Sequence, residues 1–280
     1  MPAVGRRGGG GEVRCGLRRS PPGEVTDPCG TPWREAMAVY LCHEHPNRLG
    51  DEAVVVESRP GAVLMNHRAL HPGGGGQLGE TALLGTLSGQ RRITGIEIDS
   101  EGRWWHLLDD PMPQIDGEVL VSVDGERRRR IAALHTMSHV LNALVFDEFD
   151  GTLVTGAQIN DDGTGRMDFD LSEVDNDRLR ALADPLNMII ANGVNVATDY
   201  VSADESASTA GLVRSLSVAP PPTPDGQLRV VIVEGIDRQA CGGTHLTNTA
   251  QSPPLSIDKI ENKGRRNRRI RFSAAGPFPH

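Results

Sequence analysis

Residues 127–150 read RRRRIAALHTMSHVLNALVFDEFD, a run of good helix formers that holds neither Gly nor Pro. Such a run predicts a helix. His135 and His139 stand four apart in it, so at 3.6 residues per turn both imidazoles project from one face. Further along, Cys241-Gly242-Gly243-Thr244-His245 places a thiol and an imidazole at the same spacing. Its two central glycines predict a loop that bends both side chains inward. Two nitrogens from a helix plus a sulfur and a nitrogen from a loop form a tetrahedral, borderline-soft donor set. That set suits zinc better than magnesium, calcium or iron. Either motif alone is more often a pair of unrelated side chains; together they carry the metal reading, with His135, His139, Cys241 and His245 as ligands.

Before the helix, the chain reads as short strands between turns. Ala53–Val56 precedes the turn Ser58-Arg59-Pro60-Gly61, Ala62–Met65 follows it, and Ile96–Ile98 meets a turn at Asp99–Gly102 before Trp104–Leu108. Val119–Val123 ends at Asp124-Gly125. Strands at this spacing predict a small β-barrel. Within it, Pro72-Gly73-Gly74-Gly75-Gly76-Gln77 is either a flexible hairpin tip or a close approach of backbone to another segment. Cys42-His43-Glu44-His45 resembles half a metal site but lacks a second half, and is read as surface.

After the helix, Leu153–Ile159 and Arg166–Phe169 predict a hairpin around Asp161-Asp162-Gly163. Ser172 can cap a helix over 173–192, kinked or restarted near Pro185. Pro220–Pro224 reads as a loop, and Leu228–Val233 and Leu255–Ile260 as strands. The whole is an α+β chain: a small N-terminal β-barrel followed by a two-layer α/β domain with a mostly antiparallel sheet. The expected divisions are 1–36, a disordered extension rich in Gly, Pro and Arg; 37–125, the barrel; and 126–280, the metal-containing domain.

Composition sets the bounds. In 280 residues the formal net charge is −8, so any nucleic-acid contact must come from local basic patches. Lys263–Arg271 is such a patch, with six basic residues. It reads as a phosphate-contacting stripe or as a charged strand edge that resists aggregation. Arg127–Arg130 is open in the same way, between an RNA contact and a solvated turn. Four irregularly spaced cysteines point to a reducing compartment. No apolar run approaches a membrane span and no secretory leader is evident, so the default is a cytoplasmic protein without a membrane partner.

In order along the chain, these motifs resemble the editing domain of alanyl-tRNA synthetases and the free-standing alanyl-tRNA editing proteins, the AlaX family. The resemblance rests on His135-x-x-x-His139, on Cys241-Gly-Gly-Thr-His245 with Asn248-Thr249 after it, and on Gly74-Gly75-Gly76-Gln77. Arg166–Phe169 and Lys263-Gly264 with Arg268-Arg269-Ile270 complete it, over residues 37–273. It implies a synthetase-like barrel before an editing domain, a Zn2+ site, and hydrolysis of the ester in alanine tRNA wrongly charged with serine or glycine. It points to Gln77 as facing the site and to Thr155 as the threonine that recognises serine's hydroxyl. Gln77, Thr155, Gly243 and Thr244 are therefore the candidate substrate contacts, and Lys263, Arg265, Arg266, Arg268 and Arg269 the candidate tRNA contacts. The catalytic agent is a zinc-bound or zinc-adjacent water, with Cys241 and Gln77 as candidates beside it. Leu70-His71 replaces the usual aromatic residues before the glycine loop, Gly73 stands where an acidic residue is usual, Glu80 replaces the aspartate after the loop, and Pro185 enters a helix that the family runs through.

The main expectation is a trans-editing aminoacyl-tRNA hydrolase, without ligase activity and without a nucleotide cofactor. The alternative is a non-catalytic, zinc-stabilised tRNA-binding module.

Overall fold

A computed structural model describes residues 41–279 apart from 112–113, 173–174, 210, 217–222 and 224–225. The extension expected over 1–36 lies outside the described residues, as does most of the 220–224 loop. After a short helix α1 (Leu41–Glu44) come six strands: β1 (Gly50–Arg59), β2 (Ala62–Met65), β3 (Ala82–Thr86), β4 (Gly89–Ile98), β5 (Trp104–Leu108) and β6 (Gly117–Val123). They close into an antiparallel barrel in the order β1-β2-β5-β4-β3-β6. Alternation sets its inside: Ala53 and Val55 of β1 and Val119, Val121 and Val123 of β6 are buried, while Val54 and Leu120 face outward. Val63, Leu84, Ile93 and Val121, all fully buried, fill the interior.

Asp124 then caps the long helix α2 (Gly125–Glu148), its carboxylate accepting from the Arg127 backbone N–H at 3.0 Å. From Ile131 to Val145 this helix is buried on nearly every side, as expected for a central core helix. Leu134, Met137, Leu141 and Val145 pack on Phe169, Ile270 and Phe272 of a four-stranded antiparallel sheet, β12-β13-β8-β7. Its strands are β7 (Val154–Ile159), β8 (Thr164–Phe169), β12 (Leu255–Asn262) and β13 (Arg268–Ala274). A second antiparallel sheet, β11-β10-β9, is built from β9 (Val196–Ser202), β10 (Gln227–Val233) and β11 (Asp237–Ala240). Helix α5 (Ala203–Ser208) follows β9. The architecture is α+β, with a closed barrel followed by helices on antiparallel sheets.

Two local readings need correction. The helix after β8 is capped by Asp175 rather than Ser172, with the Asp175 side chain accepting from Asp177 N at 2.8 Å. It divides into α3 (Asn176–Ala181) and α4 (Ala183–Asn192). Pro185 lies in the first turn of α4, where its missing N–H has no intrahelical partner to lose, so the break falls just ahead of it. The Cys42-His43 pair is not surface: Cys42 and His43 are 1% and 5% exposed, and the His43 ring lies 5.8 Å from that of His71.

Three of the four arginines at the head of α2, Arg127, Arg128 and Arg130, bind protein. Arg127 donates to Gly79 O and pairs with Asp161, and Arg130 pairs with Glu126. Arg128 is 3% exposed and clasps Glu80 through two bonds, Nε to Oε1 at 2.7 Å and Nη2 to Oε2 at 2.6 Å. Its remaining donors reach the carbonyls of Arg48 and Ala69. Barrel and helix are thereby locked by a buried, fully satisfied ion pair. Removing one partner strands a charge: Arg128→Ala should lower stability by about 3–5 kcal/mol in denaturant unfolding. Arg128→Met with Glu80→Leu should lie much closer to wild type, and a double variant as unstable as the single would count against this account.

Candidate metal centre and cavity

His135 and His139 sit on one face of α2, and the loop after β11 brings Cys241 and His245 against them. The four potential donor atoms lie within 4.8 Å of one another. The Cys241 sulfur is 3.5 Å from His135 Nε2 and 3.4 Å from His245 Nε2. Each imidazole engages a neighbour through its other nitrogen. His135 Nδ1 meets Gln77 Oε1 at 2.8 Å, His139 Nδ1 meets Asp237 Oδ2 at 3.0 Å, and His245 Nδ1 meets Thr136 Oγ1 at 3.2 Å. The amide and carboxylate oxygens can only accept, and the Thr136 hydroxyl already donates to Ala132 O. All three rings therefore hold a proton on Nδ1, which leaves Nε2 as the atom each would offer to a metal. This arrangement fits a metal, with outer partners fixing tautomer and orientation.

The charges agree with it. Burial alone would raise the Cys241 thiol, but the imidazoles of His135, His245 and His139 outweigh it and hold the thiol well below its ordinary value. Burial likewise opposes charge on His139, yet Cys241 and Asp237 prevail and push it up to about 10, so without an ion this ring holds a second proton on Nε2 that a metal would displace. Burial and His135 hold His245 well below the usual imidazole range. A thiolate among imidazoles is the form in which these side chains bind zinc.

The loop is pinned from both sides. Arg229, 5% exposed, donates to the carbonyls of Cys241 and Gly243 at 3.0 and 2.9 Å. Gln77 accepts from Thr244 N at 2.9 Å and donates to Thr244 Oγ1 at 2.9 Å. His71 Nε2 bonds Gly242 O at 2.7 Å while its Nδ1 accepts from Gly73 N at 3.0 Å. The glycine loop is a close approach rather than a free tip, since a Cβ on Gly76 would lie 2.7 Å from Ala157 O.

A cavity of about 420 Å³ opens between barrel and helix domain. His135, His139 and Cys241 border it from the centre, Ile98 and Trp104 from the barrel, and Val154 from β7. Of the expected substrate contacts, Gly243 lines it; Gln77, Thr244 and Thr155 do not. Gln77 and Thr244 are occupied with each other behind the wall, and Thr155 Oγ1 faces Asn267 Oδ1 at 3.4 Å. Gln77 thus positions His135 rather than touching the cavity.

The basic stripe is partly spent on internal pairs. Arg269 grips Asp168 through two bonds of 2.7 and 2.8 Å, Arg268 bonds Asn262 and Ser172, and Arg266 pairs with Asp170. Lys263 and Arg265 are exposed at the tip between β12 and β13. Among the described residues, no helix is long and apolar enough to cross a membrane.

Sequence reasoning missed Asp237, Arg229, Thr136 and His71. Asp237 and Gln239 alternate on β11 and so share a face, but a four-residue strand gives too short a period to announce itself.

A family model described as the threonyl and alanyl tRNA synthetase second additional domain matches residues 228–271. The alanyl-tRNA editing protein AlaX-M of Saccharolobus solfataricus is 30% identical over 224 residues, covering 79% of this chain and 92% of that protein. AlaX-M of Methanosarcina acetivorans is 30% identical over 222 residues, covering 75% and 88%. The alanine–tRNA ligase of Thermoplasma acidophilum is 27% identical over 272 residues, covering 94% of this chain but 30% of the ligase.

Two outcomes test the centre. A Cβ on Gly243 would lie 2.1 Å from His135 Cε1, so Gly243→Ala should abolish stoichiometric zinc in elemental analysis. In metal-stripped protein, alkylation of Cys241 followed by peptide mapping should stay fast as pH falls from about 9 to about 7, because the depressed thiol remains ionised there. Cys42, whose thiol burial and the Glu80 charge push up to about 12, should stay unreactive across that range. An ordinary tenfold-per-unit decline at Cys241 would contradict the reading.

Proposed function

The chain belongs to the alanyl-tRNA editing protein family, and from that premise we propose that it is a trans-acting hydrolase that deacylates alanine tRNA mischarged with serine or glycine. The observation that carries the proposal is the convergence of three imidazoles and one cysteine, of which His135, His139 and Cys241 line a cavity of about 420 Å³, room for a short acyl ester. The donor chemistry fits zinc held by His135, His139, Cys241 and His245. When bound, zinc supplies Lewis acidity toward a carbonyl or a water of depressed pKa.

The chain's own residues divide the remaining work. Gln77 and Asp237 keep the protons of His135 and His139 on Nδ1, so neither ring can turn its lone pair away. Arg229 and His71 hold the carbonyls of the Cys241–Gly243 segment and keep that backbone against the cavity. Val154, Ile98 and Trp104 give the cavity apolar walls that exclude bulk water from a short acyl group. Aminoacyl esters are already activated, so positioning and polarisation are the main demands.

To the β12–β13 tip we assign contact with the tRNA. Arg268 pairs in register with Phe169 and Phe169 with Val154, which lines the cavity together with Ala157 and Ile159 further along β7, so the tip adjoins one end of the cavity-lining strand. Lys263, Arg265 and Arg266 are the exposed cations there, Lys263 lying 4.0 Å from Glu261 and Arg266 3.1 Å from Asp170, and we assign phosphate contact mainly to these three, with the less exposed Arg268 and Arg269 held in internal pairs.

Four protein donors also form the closed set typical of structural zinc, which favours the second reading, a zinc-stabilised tRNA-binding module. One experiment separates them: deacylation of Ser-tRNA and Ala-tRNA, both on alanine tRNA, by wild type and Cys241→Ala. The proposal expects rapid loss of serine, alanine retained, and a fall of roughly 100-fold or more in the variant, within the range for loss of a catalytic contributor. A folded, zinc-loaded wild type that binds tRNA without hydrolysis establishes the module instead.

A further inference from the structure

Helix α2 presents a third polar side chain on the same face as its two histidines. Asn142 lies three residues beyond His139 and seven beyond His135, lines the cavity, and is 4% exposed. Its Nδ2 donates to Gln239 Oε1 at 2.9 Å, and Gln239 Nε2 donates in turn to Asp237 Oδ2 at 2.7 Å. Asp237, ion-paired to Arg214 at 3.2 Å, is a carboxylate that can only accept. The direction of the chain is therefore set from its far end: Gln239 must give its NH2 to Asp237, and its oxygen must receive the NH2 of Asn142. What remains is Asn142 Oδ1, an acceptor without a hydrogen-bond partner. Among the cavity-lining residues that are described, it is the buried polar side-chain atom left in that state.

A buried acceptor without a partner is costly, and a ligand that donates to it recovers the loss. We propose that Asn142 Oδ1 is the acceptor for the side-chain hydroxyl of a seryl ester, and so the residue that selects serine. This rests on the editing reading above. Three residues of helix, a rise of about 4.5 Å, separate Asn142 from His139, a span that an acyl group with its carbonyl beside the metal ligands can bridge. The other two candidates are committed elsewhere, Gln77 to Thr244 and His135, and Thr155 to Asn267. A neutral carbonyl also matches a neutral hydroxyl; an α-ammonium, common to serine, glycine and alanine, offers no discrimination among them. With an alanyl ester a methyl group would face Oδ1 and leave it desolvated and unpaired, and sites built on such a bond reject the deoxy analogue strongly. Because Asp237 anchors both the selector chain and His139, selector and metal ligand are held in one register.

The test compares Ser-tRNA and Gly-tRNA, both on alanine tRNA, with wild type, Asn142→Leu and Asn142→Ala, the second variant guarding against a failure of leucine to pack. Serine deacylation should fall roughly 10- to 100-fold, the cost of one lost hydrogen bond to a buried group. Glycine deacylation and zinc content should be unchanged. Equal losses on both esters, or no loss on serine, overturn the inference while leaving the editing activity intact. A wild type that hydrolyses neither ester overturns the editing reading instead. In that event, binding of stable 3′-seryl-amide and 3′-glycyl-amide adenosine decides the selector role. A seryl preference in wild type that the variants lose supports it, and equal binding of the two by wild type overturns it.

Discussion

One carbonyl oxygen, Oε1 of Gln77, joins three parts of the chain that are far apart in sequence. It receives the Nδ1 proton of His135 from the central helix and the backbone N–H of Thr244 from the Cys241 loop, and it belongs to the glycine loop that leaves the barrel. An oxygen with two lone pairs can do this once, in one geometry. Were the glycine loop displaced, His135 would lose the bond that fixes its tautomer, and the Cys241 loop would lose one of its anchors. The barrel is therefore part of the centre, although it supplies none of the four donors.

That junction bears on two side chains only because larger interactions hold the bodies together. The Arg128–Glu80 pair acts at the base of the glycine loop: Glu80 Oε2 also accepts from His71 N at 2.9 Å, so the same carboxylate that grips the helix aligns the start of the loop. Apolar packing does the rest. Leu134, Met137 and Leu141 fill the side of α2 away from the histidines and keep its rotation fixed against the four-stranded sheet. Buried donors and acceptors in such a region stabilise little in net terms, but each is expensive to leave unmade, so the network tolerates few alternatives.

Much of this was legible in the residues, and the parts that were not share a cause. The central helix, the ligand spacing and the β7–β8 hairpin announce themselves through local periodicity and turn chemistry, which a sequence displays directly. Strands β3, β9 and β11 do not. VATDYVS and DRQA are short or polar and become strands because β10 pairs with both. Asp237 and Arg229 are invisible for the same reason: a lone Asp or Arg on a strand is usually solvent-facing, and only the meeting of β10 and β11 with α2 buries them. The basic stripe misled in the opposite direction. Its charge is plain in the sequence, but the aspartates opposite it, Asp168 and Asp170, lie about a hundred residues earlier, and register alone brings them together.

The departures from the family pattern around the glycine loop are mutually consistent. An aromatic residue in place of His71 would pack by area; His71 instead donates Nε2–H to Gly242 O and accepts from Gly73 N, spanning from the barrel loop to the metal loop by hydrogen bonds. Burial holds this imidazole below its ordinary range, the neutral state that an Nδ1 acceptor requires. Gly73, where the pattern has an acid, lies close enough to Gly79 that a Cβ would meet its backbone nitrogen at 2.8 Å, so no acidic side chain fits this turn. Glu80 keeps a negative charge where the pattern has an aspartate, and its carboxylate binds Arg128 on the helix. Backbone positions that other sequences secure with an acid and an aromatic are held here by an imidazole and a longer acid, and the loop still presents Gln77 to His135 at 2.8 Å.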